Sequence, residues 1–344
     1  MVIGIVGAGL SGLVAGRELT RAGHQVIVLE KEKSEGGKLA SKKIGNNSIV
    51  DYGTGYFTIS SPEFQSFADE MEEKGIITPW ADSFGLYDGA KQHDVNPNKD
   101  YDSYYSAPDG MNEIIRYLSR WVDVKLDTKV GGLTHIGGYR SKKRNWMLNL
   151  TDFSVIEVDA VIIATPAVEA YGLVHMTQDE TPSKKITRVI DEISYHSSYA
   201  LMYGYSGKEI PEWNALEINN DVIAWLSNEA SKRPDREEAA FVAQSTDTFA
   251  KKNRNKDDDQ IIGRMEEELQ KIFKNDYNFP EWRDLHHWKY ARVKNPIDSY
   301  FMEMEMQEAP LSLIGDYFKD STVESAYLSG LKLAEHWTKN YRNC

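Results

Sequence analysis

The chain has 344 residues, 41% hydrophobic and 27% charged, too many for one hydrophobic core and suited to two joined domains. Its formal net charge of −13 opposes phosphate backbones, so nucleic acid is not an expected partner. One cysteine, Cys344, excludes internal disulfides, four-thiolate metal sites and dithiol redox pairs; the eight histidines form no zinc-like pair, and no run of 18 apolar residues offers a spanning helix, so neither metal nor membrane is expected.

Val2–Val6 (VIGIV) is a β-branched run that reads as a strand buried on both faces. No basic lead precedes it, so it is not read as a signal peptide, and a cytoplasmic protein is expected. A glycine-rich turn over Gly7–Gly12 follows, then Leu13–Leu19 at helical spacing, a helix that Gly23 ends, and a second strand over His24–Leu29, giving a βαβ unit. Helices are expected from Pro62, with Ser61 as N-cap, and over Gly110–Trp121. Val122–Val130 alternates like a strand; Gly131–Gly138 and Tyr139–Arg144 suggest a hairpin beside Asn145–Leu150, and Val158–Ala164 is a further buried strand. From about Tyr195 the texture becomes antiparallel: Ser198–Tyr205, Val222–Leu226 and Ala239–Gln244 read as strands, and Asp257–Lys274 as an amphipathic helix. Leu311–Ile314 is a last strand and Val323–Thr338 the closing helix. With no repeat and no linker, the segments are expected to interleave.

Gly7-x-Gly9-x-x-Gly12 between strand and helix is a dinucleotide fingerprint. Gly7 permits the turn, Gly9 lets backbone approach a pyrophosphate, and Gly12 allows close helix–strand packing. The N–H groups of Leu10, Ser11 and Gly12 open the helix toward the phosphates. Glu30 ends the second strand, where its carboxylate can accept from the adenosine ribose hydroxyls. The pair Gly36-Gly37 soon after it points to FAD rather than NAD, and Lys31 and Lys38 join the cofactor contacts. Only one such fingerprint is present; Gly131-Gly132 and Gly137-Gly138 lack the third glycine and following helix, which argues against a separate NADPH domain.

The stretch Gly7–Gly37 resembles the FAD-containing amine oxidase superfamily. Asp51–Thr58 (DYGTGYFT), Ala164–Ala167 (ATPA), His286–Arg292 (HHWKYAR), Gly315-Asp316 and Val323–Gly330 (VESAYLSG) resemble its renalase branch. The resemblance runs along the whole chain. It implies an α/β fold: a Rossmann-type FAD-binding domain (GR2-like, parallel sheet) interleaved with an α+β substrate domain on an antiparallel sheet. The FAD segments are expected at 1–75, 111–170 and 301–344, and the substrate segments at 76–110 and 171–300. Non-covalent FAD is implied, with Val130 at the adenine, Thr165, Gly315 and Asp316 along the chain of the cofactor, and the helix from Val323 aimed at the flavin N1–C2=O edge. The loop of Gly53, Thr54, Gly55, Tyr56 and Phe57 would run beside the isoalloxazine. Renalase-like proteins commonly have Gly-Ala-Gln-Tyr where this chain has Gly53-Thr54-Gly55-Tyr56.

Tyr56, Phe57, His286, Trp288 and Arg292 are the candidate residues for the chemistry. His286, Trp288, Tyr290 and Arg292 share one face of an extended strand, either lining a substrate cavity or packing as core. Lys289 alternates to the other face, and the tyrosines of Tyr101–Tyr105 form either a mouth or a loop. The expected function is an FAD-dependent oxidase: hydride from a small-molecule donor to flavin N5, then to molecular oxygen. The resemblance implies a renalase-like oxidation of dihydro-NAD(P) isomers to NAD(P)+ with peroxide formed, Arg292 holding the anionic substrate. A flavin amine oxidase, a non-catalytic FAD-binding or sensor protein, and lipid desaturation remain as alternatives.

Overall fold

The computed structural model describes residues 1–45, 47–88, 92–94, 103–136, 144–175, 180–234, 238–273, 277, 279–304 and 309–341. Cys344, Tyr101, Lys274, the Gly137-Gly138 pair and the arm beginning at Tyr139 lie outside them. The chain divides into two compact units: Met1–Gly37, Ile115–Ser194 and Val293–Cys344 form one, Lys38–Ile114 and Tyr195–Arg292 the other.

The first unit is built on a six-stranded sheet in the order Met302–Met304, Leu311–Leu313, Ala160–Ile163, Val2–Val6, Gln25–Leu29, Asp123–Lys125. All neighbours are parallel except Met302–Met304, which returns antiparallel to Leu311–Leu313. Val2–Val6 is buried at every position because it is central and covered on both faces. Val6 lies opposite Leu29 and Ile163, so three strands end level where Gly7 begins. That common carboxyl edge is where open α/β sheets place ligands. Helix Leu10–Arg21 packs against helix Val323–Asn340; a Cβ on Gly330 would fall 2.3 Å from the Ser11 carbonyl oxygen, so glycine sets that approach.

Two expected strands are each divided. Val122–Val130 becomes strand Asp123–Lys125, a turn with Asp127 at φ 53°, and strand Val130–His135. Here Thr128 N donates to Glu30 O and Asp127 N to Glu32 O, which turns the chain out of the parallel sheet. Val130–His135 pairs directly with Trp146–Leu150 in a separate three-stranded antiparallel sheet. Val155–Val158 belongs to that sheet too, and Ala160–Ile163 to the parallel one. The switch falls at Asp159, whose Oδ2 accepts from Val2 N at 2.6 Å.

The second unit carries a seven-stranded sheet in the order Trp282–Val293, Tyr195–Ser206, Glu238–Ser245, Ile223–Asn228, Ala215–Ile218, Gly85–Tyr87, Gln92–Asp94. One face buries Leu201, Tyr203, Leu216, Leu226 and Phe241 against helices Asp247–Asn253 and Asp258–Phe273, the latter contributing Ile261, Met265 and Leu269. The opposite face carries Ala200, Met202, Ala240 and Val242, which pack with Val50 of the hairpin Ser41–Ile44/Ser48–Asp51.

The crossings between units differ from the sequence expectation. Residues 38–75 were placed with the first domain, but that hairpin packs on the antiparallel sheet through Val50. Residues 171–194 were placed with the second, but helices Ala167–His175 and Glu180–Asp191, which the sequence reading did not anticipate, keep them in the first unit. No composition shift in the sequence marks either crossing. Among the described residues, no helix is long and apolar enough to cross a membrane, and no group of three His, Cys, Asp or Glu residues is arranged to hold a metal.

Candidate active site

In the first unit the three fingerprint glycines answer to different constraints. Gly7 has φ +108°, and a Cβ there would lie 2.8 Å from the Ala164 carbonyl oxygen. A Cβ on Gly12 would lie 2.3 Å from the Gly7 carbonyl oxygen. Both are therefore demanded by the protein's own packing. Gly9 is different: nothing lies within 4 Å of a Cβ built on it. Open space beside a backbone that has no packing need for glycine fits a ligand drawn close to the main chain.

The helix start supports that fit. Gly9 is the N-cap, gives no side-chain cap, and the first turn holds no acidic residue. The helical ladder begins with Leu13 N to Gly9 O, so the N–H groups of Leu10, Ser11 and Gly12 lie ahead of it. Gly37, at φ +55°, approaches so closely that a Cβ would be 3.3 Å from Gly9 Cα, and Gly36 N donates to Ala8 O. Two bare backbone stretches thus lie side by side. Thr165 Oγ1, on the loop facing Gly7, is buried with no hydrogen-bond partner. A buried hydroxyl left unpaired costs free energy, about 1–3 kcal/mol, and a ligand oxygen would relieve it.

Glu30 is buried, with Oε2 accepting from Ala8 N at 2.9 Å and Oε1 from Glu32 N at 3.0 Å. These bonds fix the carboxylate and leave each oxygen a further lone pair for a sugar hydroxyl. Val130 is buried and starts the strand after the turn stitched to Glu30. Lys31 pairs with Glu169 at 2.7 Å. Gly315, at φ +155°, donates its N–H to Ser329 Oγ at 3.0 Å, and Asp316 is half-buried beside it. The helix at Val323 is already capped: Thr322 Oγ1 accepts from Ser325 N, and Ser325 Oγ from Thr322 N. The N–H groups of Val323 and Glu324 remain outside the ladder, which begins with Ala326 N to Thr322 O.

In the second unit the loop Tyr52–Phe57 is held through its backbone. Thr54 N donates to Lys38 O at 2.7 Å, and a Cβ on Gly53 would fall 2.1 Å from that same oxygen. Gln244 Nε2 donates to Gly53 O at 2.9 Å, Trp288 Nε1 to Tyr52 O at 2.7 Å, and Ser106 Oγ to Gly55 O at 3.1 Å. Phe57 exchanges both backbone bonds with Tyr105. Lys38 Nζ sits 5.3 Å from the Tyr195 ring centroid.

Beneath the loop is a buried ionic quartet. Lys232 Nζ lies 3.1 Å from Asp51 Oδ2 and 2.8 Å from Glu229 Oε1, and Arg233 Nη2 lies 3.0 Å from Asp51 Oδ2. The side chains of Lys232, Asp51 and Glu229 are fully buried. Burial alone would raise the Asp51 pKa, but Arg233, Lys232 and two hydrogen bonds hold it well below the usual carboxylate range. A Cβ on Gly55 would fall 2.7 Å from Lys232 Nζ. The ammonium lies where a side chain at position 55 would begin.

Tyr56 sits in an aromatic cluster with Trp80, Phe84, Tyr104 and Trp225, at centroid distances of 6.1, 5.1, 5.4 and 5.2 Å. Burial, then Tyr104 and Glu217, push its phenol up to about 12, against an opposing pull from Arg292. It is therefore a neutral hydroxyl at ordinary pH. The strand His286–Arg292 is not one continuous wall. His286 and Trp288 gather on Tyr52, at 5.1 and 5.7 Å, while Tyr290 meets Tyr195 at 5.3 Å. Arg292 is exposed and makes no ion pair among the described residues, and Lys289 is exposed on the other face. Phe57 is buried between Phe64 and Tyr105 as core. No motif or spacing marks Trp225, Glu217, Gln244 or the partners of Asp51: strand register brings the first three to this face, and the 3₁₀ turn Glu229–Lys232 with Arg233 after it carries the other charges of the quartet.

A parallel sheet whose carboxyl edge carries this cradle, interleaved in chain order with an antiparallel sheet unit, defines a flavin-dependent oxidoreductase fold. Residues 5–71 match the NAD(P)-binding Rossmann-like domain family. Residues 63–336, most of the chain, match the family described as flavin containing amine oxidoreductase, and the protein belongs to that family. Its fold is similar to cyclohexylamine oxidase from Brevibacterium oxydans (TM-score 0.77, 12% identity, covering 99% of each chain). It is also similar to a putrescine oxidase bound to putrescine (TM-score 0.75, 12% identity, covering 99% of this chain and 100% of the other). Local similarity reaches 38% identity over 79 residues with a 4-hydroxybenzoate brominase of Pseudoalteromonas luteoviolacea, and 30% over 89 residues with an L-amino acid dehydrogenase of Synechocystis. Those matches span 23% and 25% of this chain but only 14% and 19% of the relatives.

Proposed function

We propose that this protein is a cytoplasmic oxidase that binds FAD non-covalently and oxidises a small molecule. The observation that carries the reading is the open space beside Gly9, at an uncapped helix start and next to the Gly36-Gly37 backbone. There Leu10, Ser11 and Gly12 would donate to the diphosphate, Glu30 would accept from the ribose and Val130 would meet the adenine, with Lys31 and Lys38 adding charge. Thr165, Gly315, Asp316 and the helix from Val323 would serve the remaining cofactor length, and Gly53, Thr54, Gly55 and Tyr56 are the residues proposed for the ring. Bound flavin would supply a two-electron acceptor for hydride from the donor, with molecular oxygen as the final oxidant and hydrogen peroxide as its two-electron product. The chain's own contribution is positional: a loop whose carbonyls are tied down cannot yield when a donor presses against it, and the neutral Tyr56 phenol offers one donated hydrogen bond.

Two donor classes fit. The renalase resemblance points to dihydro-NAD(P) isomers, with Arg292 as the anion contact. The aromatic cluster around Tyr56 and the membership in the amine oxidoreductase family favour an amine. The test is a visible spectrum of the purified protein, with the supernatant examined after denaturation. A yellow preparation whose colour is released supports non-covalent FAD; a folded, colourless protein that cannot be loaded with FAD overturns the proposal. Anaerobic bleaching by dihydronicotinamides or by primary amines then assigns the donor, and peroxide release on admitting oxygen identifies an oxidase.

A further inference from the structure

One carboxylate on the loop-bearing face of the antiparallel sheet stands apart. Glu238, on the same face, is engaged by Ser48 and Ser206. Glu217 is exposed and makes no hydrogen bond or ion pair among the described residues. Its neighbours in register are Trp225 on one side and Leu86 on the other, so an acid is set between an indole and an aliphatic side chain. A bulge between Ile223 and Trp225 interrupts the ladder just there. Bulges re-aim the side chains that follow them, and Trp225 turns into the aromatic cluster, 5.2 Å from Tyr56 and edge-on to Phe84 at 4.9 Å. Leu86, Glu217, Ile218, Asn219, Ala224 and Trp225 line a shallow, solvent-open depression of about 340 Å³.

We infer that Glu217 and Trp225 form a recognition subsite for an ammonium group of the electron donor. A carboxylate supplies charge, and the indole face, the most favourable of the aromatic faces for a cation, supplies a site that a neutral or anionic group cannot use. The subsite selects against phosphate-bearing donors, which Glu217 repels. The word donor rests on the oxidase reading above; the preference for a cation does not.

The test titrates the full-length purified protein anaerobically, at pH 7 and low salt, with benzylammonium, its uncharged isostere benzyl alcohol and the anion benzoate, following tryptophan fluorescence. Benzylammonium is expected to bind about tenfold or more tightly than benzyl alcohol, with benzoate weakest, and the preference shrinks at high salt. Glu217→Gln abolishes the preference, and Trp225→Leu weakens benzylammonium alone. Glu217 is exposed and unpaired, so its replacement leaves folding intact. Equal affinities in the unaltered protein, or a cation preference that survives Glu217→Gln, overturns the inference. The flavin absorbance of the same samples reports separately: colourless protein that still prefers the cation sinks the oxidase reading and leaves the subsite standing.

Discussion

The indole Nε1 of Trp288 donates to the Tyr52 carbonyl oxygen at 2.7 Å, joining positions 236 residues apart. Through this bond the last strand of the antiparallel sheet fixes the entrance of the Gly53–Tyr56 loop, and Gln244 fixes the next carbonyl in the same way. Both side chains act by holding backbone.

Trp288→Phe keeps the stack on Tyr52 and removes the donor. Gln244→Leu does the same for Gly53 O. Each leaves a sequestered carbonyl unpaired and is expected to cost about 1–3 kcal/mol in denaturant unfolding. Bound flavin, if it rests on this loop, should also shift its visible absorption in both variants. Unfolding midpoints identical to the parent protein would show that water replaces these bonds freely.

Gly9→Ala and Gly12→Ala separate ligand space from packing. Gly9→Ala meets no protein atom and is expected to change the stability of the flavin-free protein by about 1 kcal/mol or less, yet to lower flavin retention sharply. Gly12→Ala meets the Gly7 carbonyl oxygen and is expected to destabilise the flavin-free protein itself. Flavin-to-protein ratio and thermal unfolding of the stripped protein, measured side by side, decide the matter.

The buried quartet makes stability depend on acid. Asp51 is held below its ordinary value of 3.8, so between the two values the unfolded chain binds a proton that the folded chain does not. Its contribution is full above about pH 4 to 5 and is lost as pH falls below that. Lys232→Met removes one cation from two buried acids and is expected to cost about 3–5 kcal/mol at pH 7. It also lets Asp51 protonate more readily, so the fall in stability on the acid side becomes shallower. Urea unfolding at pH 3, 4, 5 and 7 checks both effects; an unchanged slope in the variant would detach Lys232 from Asp51.

Much of the first unit could be read from short stretches of chain. Strand Val2–Val6, the glycine turn, helix Leu10–Arg21 and strand Gln25–Leu29 follow from contiguous residues, because the turn, the helix start and the buried strand each have local chemical requirements. The break at Asp127 was not visible, since alternation continues through Leu126–Val130 while the bonds to Glu30 and Glu32 that bend the chain come from far away. The face of His286, Trp288, Tyr290 and Arg292 was recognised as a face, but its partners were not: Tyr52 and Tyr195 lie in other segments.

The residues alone determined a dinucleotide-type glycine turn, the acid Glu30 at the end of the next strand and the change from parallel to antiparallel texture, since glycine freedom, helix polarity and side-chain alternation act within a few positions. Only tertiary structure decided that Gly9 has open space while Gly12 has none, that Lys232 fills the place beside Gly55, and that Glu217 stands across from Trp225. Those outcomes depend on strand register and on which charges burial forces together, and both are set by segments that meet only after folding.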